Sequence, residues 1–210
     1  MRTRATWLLV ALLLATAVTA LAAGCGGDDD SDDSTAKTKA SDFAGAVAAP
    51  AKPAPPLKLE DSTGRTFDIA EHRGQVVLVT WLYANCPDVC PLIVSNFKVT
   101  QAKLGDRAKD VKFVAVSVDP KGDTSKRVNA FLKKRGMNGR MQYLLGSRST
   151  LGIVWKSWGI VAEPDASNPE LIEHASPIYG VSASGRITTL YPANFKPEQI
   201  LHDVPLLARQ

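Results

Sequence analysis

The chain is predicted to form an α/β domain with a central mixed sheet flanked by helices. Residues 76–83 and 111–118 are apolar runs rich in β-branched residues, which indicate buried strands. Helix-compatible segments alternate with these strands, and a hairpin followed by a helix closes the chain. Such alternation is typical of a sheet with helices on both of its faces.

Local signals justify the individual elements in chain order. Residues 57–61 and 65–69 are predicted to form a hairpin that extends the domain on its N-terminal side. Gly105 is the stop signal of a helix over residues 92–104, and Gly136 ends a helix over residues 125–135. The remaining predicted elements are a strand, a helix, a hairpin and a closing helix, over residues 141–145, 149–158, 178–191 and 197–207.

The first 24 residues have the pattern of an export signal. Arg2 and Arg4 precede an apolar stretch over residues 7–23, and small residues then lead to Cys25. This resembles a bacterial lipoprotein signal, in which Cys25 is lipidated and becomes the mature N-terminus. The alternative is a retained membrane anchor, for which 17 apolar residues are short. A diacylated Cys25 would hold the protein at the extracytoplasmic face of the bacterial cell membrane.

A disordered tether is predicted over residues 25–56. A run of aspartates is followed there by Ala, Lys, Ser and Pro, with almost no large apolar residue. Such a composition buries too little surface to offset the entropy of ordering the chain, and the prolines stiffen its end. An Asp-rich metal site is the alternative, although such runs are usually solvated spacers. One domain then occupies residues 57–210.

The charge of the chain gives no indication of a nucleic-acid partner. Lys and Arg number 25 against 21 Asp and Glu, a formal net charge of +4. Removal of Arg2 and Arg4 with the signal leaves 23 against 21, a net charge of +2. Basic residues do not interleave with aromatic residues in a stripe, and an exported protein would not normally meet a genome.

Two cysteines follow the first central strand directly. Cys86 and Cys90 lie in Asn-Cys-Pro-Asp-Val-Cys-Pro, where Pro91 suits the first position of a helix and places Cys90 at or near its N-cap. Amides at a helix start favour negative charge, and the thiolate is the form that binds metals and attacks disulfides. The thioredoxin fold places its redox pair at the same point, so the order of elements and the motif both predict a thioredoxin-like fold.

From these residues the chain resembles the Sco/SenC family of membrane-tethered copper proteins, over essentially the whole predicted domain. Three matches carry the resemblance: Cys-Pro-Asp-Val-Cys-Pro at residues 86–91, Ser-Val-Asp-Pro at 117–120 followed by Asp-Thr at 123–124, and His174 shortly before the strand that begins at Ile178. Thioredoxins place two residues between their cysteines, whereas this family places three.

The resemblance implies a function. Members of this family help to assemble the dinuclear copper centre of cytochrome c oxidase, and some act as thiol reductants of that centre's cysteines. The implied partner is therefore the copper-receiving subunit of cytochrome c oxidase or another extracytoplasmic copper protein, and the implied metal is a copper ion.

The implied copper ligands are Cys86, Cys90 and His174. Two thiolates and one imidazole form a soft, low-coordinate set that suits Cu(I) and accepts Cu(II) if a fourth position is filled. Without the matched context, His174 would be interpreted as a histidine of a surface loop. Asp88 could orient the cysteine loop or simply form a turn. Asp119 could support the site from behind or cap the turn that follows it.

The other histidines and the nearby aromatic residues are predicted to be structural. His72 and His202 lie in polar contexts and are expected to face solvent. Trp81 and Tyr83 could shield a copper ion, but aromatic residues at a strand end are usually part of the core. Trp155 and Trp158 share a helical face and suit either the core or a docking patch.

Three functions compete at the sequence level. A copper metallochaperone would use both thiols and His174, whereas a thiol–disulfide oxidoreductase would need the two cysteines and depend little on His174. In the oxidoreductase, Cys86 and Cys90 would be the redox-active pair. A peroxidase is disfavoured, because residues 83–85 (Tyr-Ala-Asn) lack the threonine that such enzymes place before the reactive cysteine. The copper metallochaperone is the leading hypothesis, and it makes the protein a carrier rather than an enzyme.

Overall fold

The computed structural model describes residues 42–210, so the predicted signal, Cys25 and the first part of the predicted tether lie outside the described residues. The described residues form ten strands and four α-helices. The strands are β1 (Ala46–Pro53), β2 (Lys58–Asp61), β3 (Thr66–Asp68), β4 (Val76–Leu82), β5 (Val111–Ser117), β6 (Gln142–Leu145), β7 (Ala162–Pro164), β8 (Ile172–His174), β9 (Ile178–Val181) and β10 (Arg186–Tyr191). The helices are α1 (Val89–Leu104), α2 (Ser125–Lys134), α3 (Arg148–Trp158) and α4 (Pro197–Leu207).

Eight of the strands form one mixed sheet, in the order β1-β10-β9-β4-β5-β6-β2-β3. Strands β4, β5 and β6 are parallel, whereas β9 is antiparallel to β4. The hairpin of β2 and β3 joins the sheet through antiparallel pairing of β2 with β6. The predicted α/β class, the mixed sheet and the N-terminal hairpin are therefore confirmed.

The centre of the sheet forms the core. Every residue of β4 is buried, as expected for a central strand that is covered on both faces. Trp81 of β4 packs against Trp158 of α3, with ring centroids 5.8 Å apart. Phe97 of α1 lies edge-on to Phe113 of β5 at 5.2 Å. The structure thus assigns Trp81, Trp155 and Trp158 to the core, where each is at most 4% exposed.

Helices α2 and α3 start at side chains that cap their free amides. Thr124 accepts a hydrogen bond from the Arg127 amide at the start of α2, and Ser147 accepts one from the Thr150 amide at the start of α3. Helix α1 begins at Val89, so Pro91 occupies its third position instead of the first. Proline is accommodated there because amides of the first turn have no partner within the helix. Within residues 42–210, no helix is both long and apolar enough to cross a membrane.

The folded region starts before residue 57, where the sequence places the domain boundary. Strand β1 pairs antiparallel with β10 at the edge of the sheet. Its Ala, Lys and Pro residues give no apolar alternation, because an edge strand is held mainly by backbone pairing and accepts proline. The preceding residues are also fastened, since the buried Asp203 carboxylate accepts hydrogen bonds from the Ala44 and Gly45 amides, each at 2.8 Å.

A second, two-stranded sheet stands apart from the main one. Strands β7 and β8 pair only with each other, with Ala162 opposite His174. The turn between them is closed by Asp165, whose carboxylate accepts hydrogen bonds from the Ser167 and Asn168 amides, each at 2.7 Å. Three-residue strands interrupted by proline carry little periodic signal, so the sequence indicated only an irregular stretch here. We call residues 162–174 the hairpin arm.

Candidate metal and thiol site

The cysteine loop, residues 83–90, connects the end of β4 to the first turn of α1. The Cys86 amide donates a hydrogen bond to the Tyr83 carbonyl at 3.2 Å, which closes a turn immediately after the strand. Cys90 is the second residue of α1, and its amide donates to the Cys86 sulfur at 3.4 Å. The structure therefore brings the two predicted cysteines together at the start of a helix.

The two thiols are unequal. Both are free; Cys86 is 8% exposed and Cys90 is completely buried. A hydrogen bond from the Cys90 side chain lowers the pKa of Cys86 to about 6; burial opposes this shift, and the Cys90 and Asp88 amides reinforce it. The same side-chain bond, together with burial, raises the pKa of Cys90 far above its usual range. At neutral pH, Cys86 is thus the thiolate and Cys90 holds the proton.

Tyr83 contributes to the site as well as to the core. Its hydroxyl donates a hydrogen bond to the Cys86 sulfur and accepts one from the Ile172 amide of β8. Burial, and after it the charge of Cys86, raises the pKa of Tyr83 to about 12, so the phenol stays protonated. The favoured prediction of a core position for Tyr83 is confirmed, since the residue is 4% exposed, but its contact with the sulfur was not predicted. The signal was the position of a tyrosine at a strand end, since a buried phenol usually finds a hydrogen-bond partner.

Asp123 is the second residue with a role that the sequence did not reveal. It lies in the turn between β5 and α2, is 6% exposed, and accepts a hydrogen bond from the Ala84 amide of the cysteine loop at 2.7 Å. Burial raises the pKa of Asp123 to about 6, although hydrogen bonds from Ser117, Ala84 and Tyr143 oppose the shift. The contact joins residues 39 positions apart, which no local pattern indicates.

The two aspartates singled out from the sequence lie elsewhere. Asp119 accepts a hydrogen bond from the Gly122 amide at 2.8 Å, so its side chain caps the turn after β5. Asp88 precedes α1 with an exposed side chain that makes no capping hydrogen bond, while its backbone amide contributes to the Cys86 thiolate. Neither carboxylate contacts a sulfur through the hydrogen bonds of the described residues.

His174 lies at the end of the hairpin arm and faces the cysteine loop. Its ring stands edge-on to Tyr83, with centroids 5.7 Å apart. Nδ1 lies 3.0 Å from the Ala175 carbonyl, which can only accept, so this nitrogen carries the proton and Nε2 keeps its lone pair. Burial lowers the pKa of His174, which favours the neutral ring. The other histidines lie apart: His72 stacks on Phe67, and His202 contacts Asp203.

An open cleft of about 400 Å³ separates the cysteine loop from the hairpin arm. Cys86 and His174 both line it, together with Tyr83, Asp88 and Glu173. Across residues 42–210, however, no three side chains of His, Cys, Asp or Glu are close enough together to hold a metal ion. Two of the predicted ligands are thus adjacent, and the third faces them across the cleft.

Known proteins with similar sequences carry Sco names. A sequence model described as SCO1/SenC matches residues 46–209. The SCO1 protein homolog of Bacillus subtilis is 25% identical over 154 residues, which span 71% of this chain and 79% of that protein. The mitochondrial SCO2 homolog of Bos taurus is 28% identical over 153 residues, spanning 70% of this chain and 56% of that protein.

Solved structures share the fold. Apo Sco1 from Thermus thermophilus superposes with a TM-score of 0.68 at 24% identity, covering 79% of this chain and 96% of that one. Copper-bound ScoI of Bradyrhizobium japonicum gives 0.64 at 23% identity, covering 74% and 99%. At such identities the likeness shows the fold alone, and it confirms the predicted thioredoxin-like architecture. Because the family match spans more than half of the sequence, this chain belongs to the SCO1/SenC family.

Proposed function

We propose that the protein is a membrane-tethered, extracytoplasmic copper metallochaperone that assists assembly of the copper centre of cytochrome c oxidase. The observation that carries this proposal is the cleft in which a paired thiolate and thiol face a neutral imidazole. Cys86, Cys90 and His174 are the proposed ligands. Lipidation of Cys25 and the placement outside the cell membrane are part of the same proposal and rest on the export pattern of residues 1–25.

The donor set fits copper as cargo. Cys86 is already ionised at neutral pH, and Nε2 of His174, a residue that lines the cleft, keeps its lone pair. Two sulfurs and one nitrogen suit Cu(I), whereas structural zinc sites in proteins normally close with four ligands. Relatives of the same fold have been solved with copper bound, among them ScoI of Bradyrhizobium japonicum and yeast Sco1.

Loading requires a proton to leave the site. Cys90 must lose its proton to become a second thiolate ligand, so metal binding should release a proton near neutral pH. His174 would add the third ligand when its ring and the sulfurs approach each other across the cleft. A partner that offers competing thiolates could then replace the ligands one at a time, and it would reach Cys86 and His174 through the open cleft that both residues line.

The unequal thiols also favour a second candidate, a thiol–disulfide oxidoreductase. The Cys86 thiolate would attack one sulfur of a partner disulfide, and the other partner sulfur would leave as a thiolate. Cys90, after losing its proton, would attack Cys86 in the mixed disulfide, which reduces the partner fully and leaves a Cys86–Cys90 disulfide. An external reductant would be needed to reopen this disulfide. A solved relative of the same fold is described as having a disulfide switch.

Copper titration of the reduced full chain tests the proposal. Under anaerobic conditions, with competition from a Cu(I) chelator, we expect one copper per chain and loss of this copper in the Cys86→Ser, Cys90→Ser double variant. The same preparations are assayed for their ability to reduce the disulfide of a peptide that contains two cysteines. Weak copper binding together with catalytic disulfide reduction would replace the metallochaperone with the oxidoreductase.

A further inference from the structure

Asp123 is a buried carboxylate on which three hydrogen-bond donors converge. Its Oδ1 accepts from the Ala84 amide at 2.7 Å, and its Oδ2 accepts from the Ser117 hydroxyl at 2.6 Å and the Tyr143 hydroxyl at 3.0 Å. Ser117 and Tyr143 are themselves buried in neighbouring parallel strands, β5 and β6. Oδ2 is therefore held by two residues of the sheet, and Oδ1 binds the cysteine loop.

The loop contact falls where the chain leaves the sheet. Ladder-type pairing with β5 continues to Leu82, whose carbonyl accepts from the Val118 amide at 2.9 Å. From Tyr83 onward the loop has no strand partner, and Ala84 is two residues before Cys86. The bond from Ala84 to Asp123 is the point at which a separate element, the turn before α2, fixes the backbone of the loop.

The neighbouring Asp119 provides a natural comparison. It belongs to the same turn, and its carboxylate accepts a hydrogen bond from the Gly122 amide at 2.8 Å. That bond stabilises the turn but makes no contact with the cysteine loop. Of the two aspartates, therefore, only Asp123 connects the turn to the residues that carry the sulfurs.

We propose that Asp123 is a positioning residue for Cys86 and Cys90: its carboxylate fixes the loop backbone at Ala84 and so holds both sulfurs in their paired arrangement. The copper part of this inference rests on the proposed function; the effect on the loop does not. Groups that orient metal ligands without touching the metal typically contribute a factor of about 10 to 100 in affinity.

The geometry indicates which substitution should preserve the role. In Asp123→Asn, the amide oxygen can still accept from Ala84, and the amide nitrogen can donate to the Ser117 and Tyr143 hydroxyls, which rotate to accept. In Asp123→Ala, all three donors lose their partner. Asp119→Ala is the matched control in the same turn, and Tyr143→Phe removes one donor without touching the Ala84 bond.

Two measurements on the reduced full chain test the inference. Hydrogen exchange without metal should be faster across residues 84–88 in Asp123→Ala by about 10-fold or more, with exchange in β9 and β10 unchanged. The same variant should bind Cu(I) about 10- to 100-fold more weakly. Loss of one hydrogen bond, about 1.4 kcal/mol, corresponds to a factor of about 10. Because Asp123→Asn keeps the bond to Ala84, this variant should lie within about 5-fold of the wild type in both measurements. Asp119→Ala and Tyr143→Phe should match the wild type.

The outcomes separate the two proposals. If Asp123→Ala unfolds more easily but keeps wild-type exchange over 84–88 and wild-type copper affinity, Asp123 is only structural and the inference is wrong. If the wild type itself binds no copper, the metallochaperone proposal fails, and the exchange data still decide the role of Asp123. Should Asp123→Ala not fold, Asp123→Glu decides: it keeps the charge but moves the carboxylate by one methylene, so wild-type exchange and affinity would overturn the inference.

Discussion

The two halves of the candidate site are held in very different ways. The cysteine loop follows β4, a strand buried along its whole length, and it is fixed further by α1 and by the carboxylate of Asp123. The hairpin arm has three-residue strands that pair only with each other and are largely exposed. His174 is positioned by the Ala175 carbonyl and by the edge of Tyr83.

This difference indicates a division of labour. If the protein binds copper as proposed, the two sulfurs are already paired in the fold, which would reduce the cost of ordering ligands on binding. The imidazole is carried by an element that contributes little to the core and can therefore approach or withdraw at little cost to global stability. Tyr83 connects the two halves, since its hydroxyl contacts both the Cys86 sulfur and the Ile172 amide of the arm.

The largest expected effect comes from removing a sulfur. Cys86→Ser should weaken Cu(I) binding by more than about 100-fold. A factor of about 100 is the upper limit for groups that only orient a ligand, and Cys86 is a proposed ligand itself. The free energy of unfolding should change little, because Ser is close in size to Cys and its hydroxyl oxygen can accept the hydrogen bond that the Cys90 amide donates to the sulfur. Chelator competition and urea unfolding check the two parts. Retained tight copper binding would place the site elsewhere.

The charge of Asp123 should carry a cost in stability that depends on pH. Its pKa in the folded protein, about 6, lies above the ordinary aspartate value of 3.8, so folding favours the protonated form. Its stabilising contribution is therefore complete below pH 3.8 and is lost as the pH rises through about 6. Relative to Asp123→Asn, which does not titrate, the wild type should lose on the order of 2 kcal/mol between pH 4 and pH 7.

Urea unfolding of both proteins at four pH values from 4 to 7 measures this difference. A difference that stays constant across the range would contradict the raised pKa. The result bears on how the cysteine loop is held. If the Asp123 carboxylate lowers the stability of the fold at neutral pH, its contact with the loop is better explained by a role in the site than by a role in folding.

The next effect concerns the reactivity of Cys86. Its alkylation rate by iodoacetamide should rise with pH around a midpoint of about 6, because only the thiolate reacts. Tyr83→Phe removes a hydrogen-bond donor to that thiolate, so the midpoint should move upward. His174→Ala should leave the midpoint unchanged, since the ring is not among the groups that shift the pKa of Cys86. A wild-type midpoint above 8 would contradict the asymmetric pair.

The smallest effect should come from loosening the hairpin arm. Arg148 of α3 donates to the Ala162 carbonyl and to the Glu163 carboxylate, each at 3.2 Å, and so fastens the arm to the helix. Arg148→Ala should lower the free energy of unfolding by less than about 1 kcal/mol, because the pair is exposed. Copper affinity should fall by only a few fold, measured by the same chelator competition. A loss as large as that of Cys86→Ser would mean that the arm is a rigid part of the site.

Much of this fold could be predicted from local signals. The buried strands β4 and β5, the helices with their glycine stops and the two thiols at a strand end were all indicated by apolar runs and by turn residues. Strand β1 was not predicted, because its pairing with β10 depends on backbone hydrogen bonds and its side chains show no alternation. The predicted tether therefore extends into residues that belong to the sheet.

Site residues whose contacts lie close together in the sequence could be predicted, and those with distant contacts could not. Cys86 and Cys90 form their pair within one turn, so their spacing was informative. His174 was identified only by resemblance, since a lone histidine in an irregular stretch carries no signal of its own. The contacts that Asp123 and Tyr83 make at the site were not predicted, because they join segments far apart in the chain, Asp123 with Ala84 and Tyr83 with Ile172.

The measurement that tests the account most directly is the Cu(I) affinity of the reduced full chain with and without the histidine of the arm. His174→Ala is compared with His202→Ala, a matched loss of an imidazole on α4, outside the cleft. Groups that only orient a metal ligand contribute a factor of about 10 or more to affinity, and a ligand should contribute at least as much. We therefore expect at least about a 10-fold loss of affinity for His174→Ala and none for His202→Ala. Equal affinities in the wild type and both variants would show that the hairpin arm supplies no ligand, and the three-ligand site would be wrong.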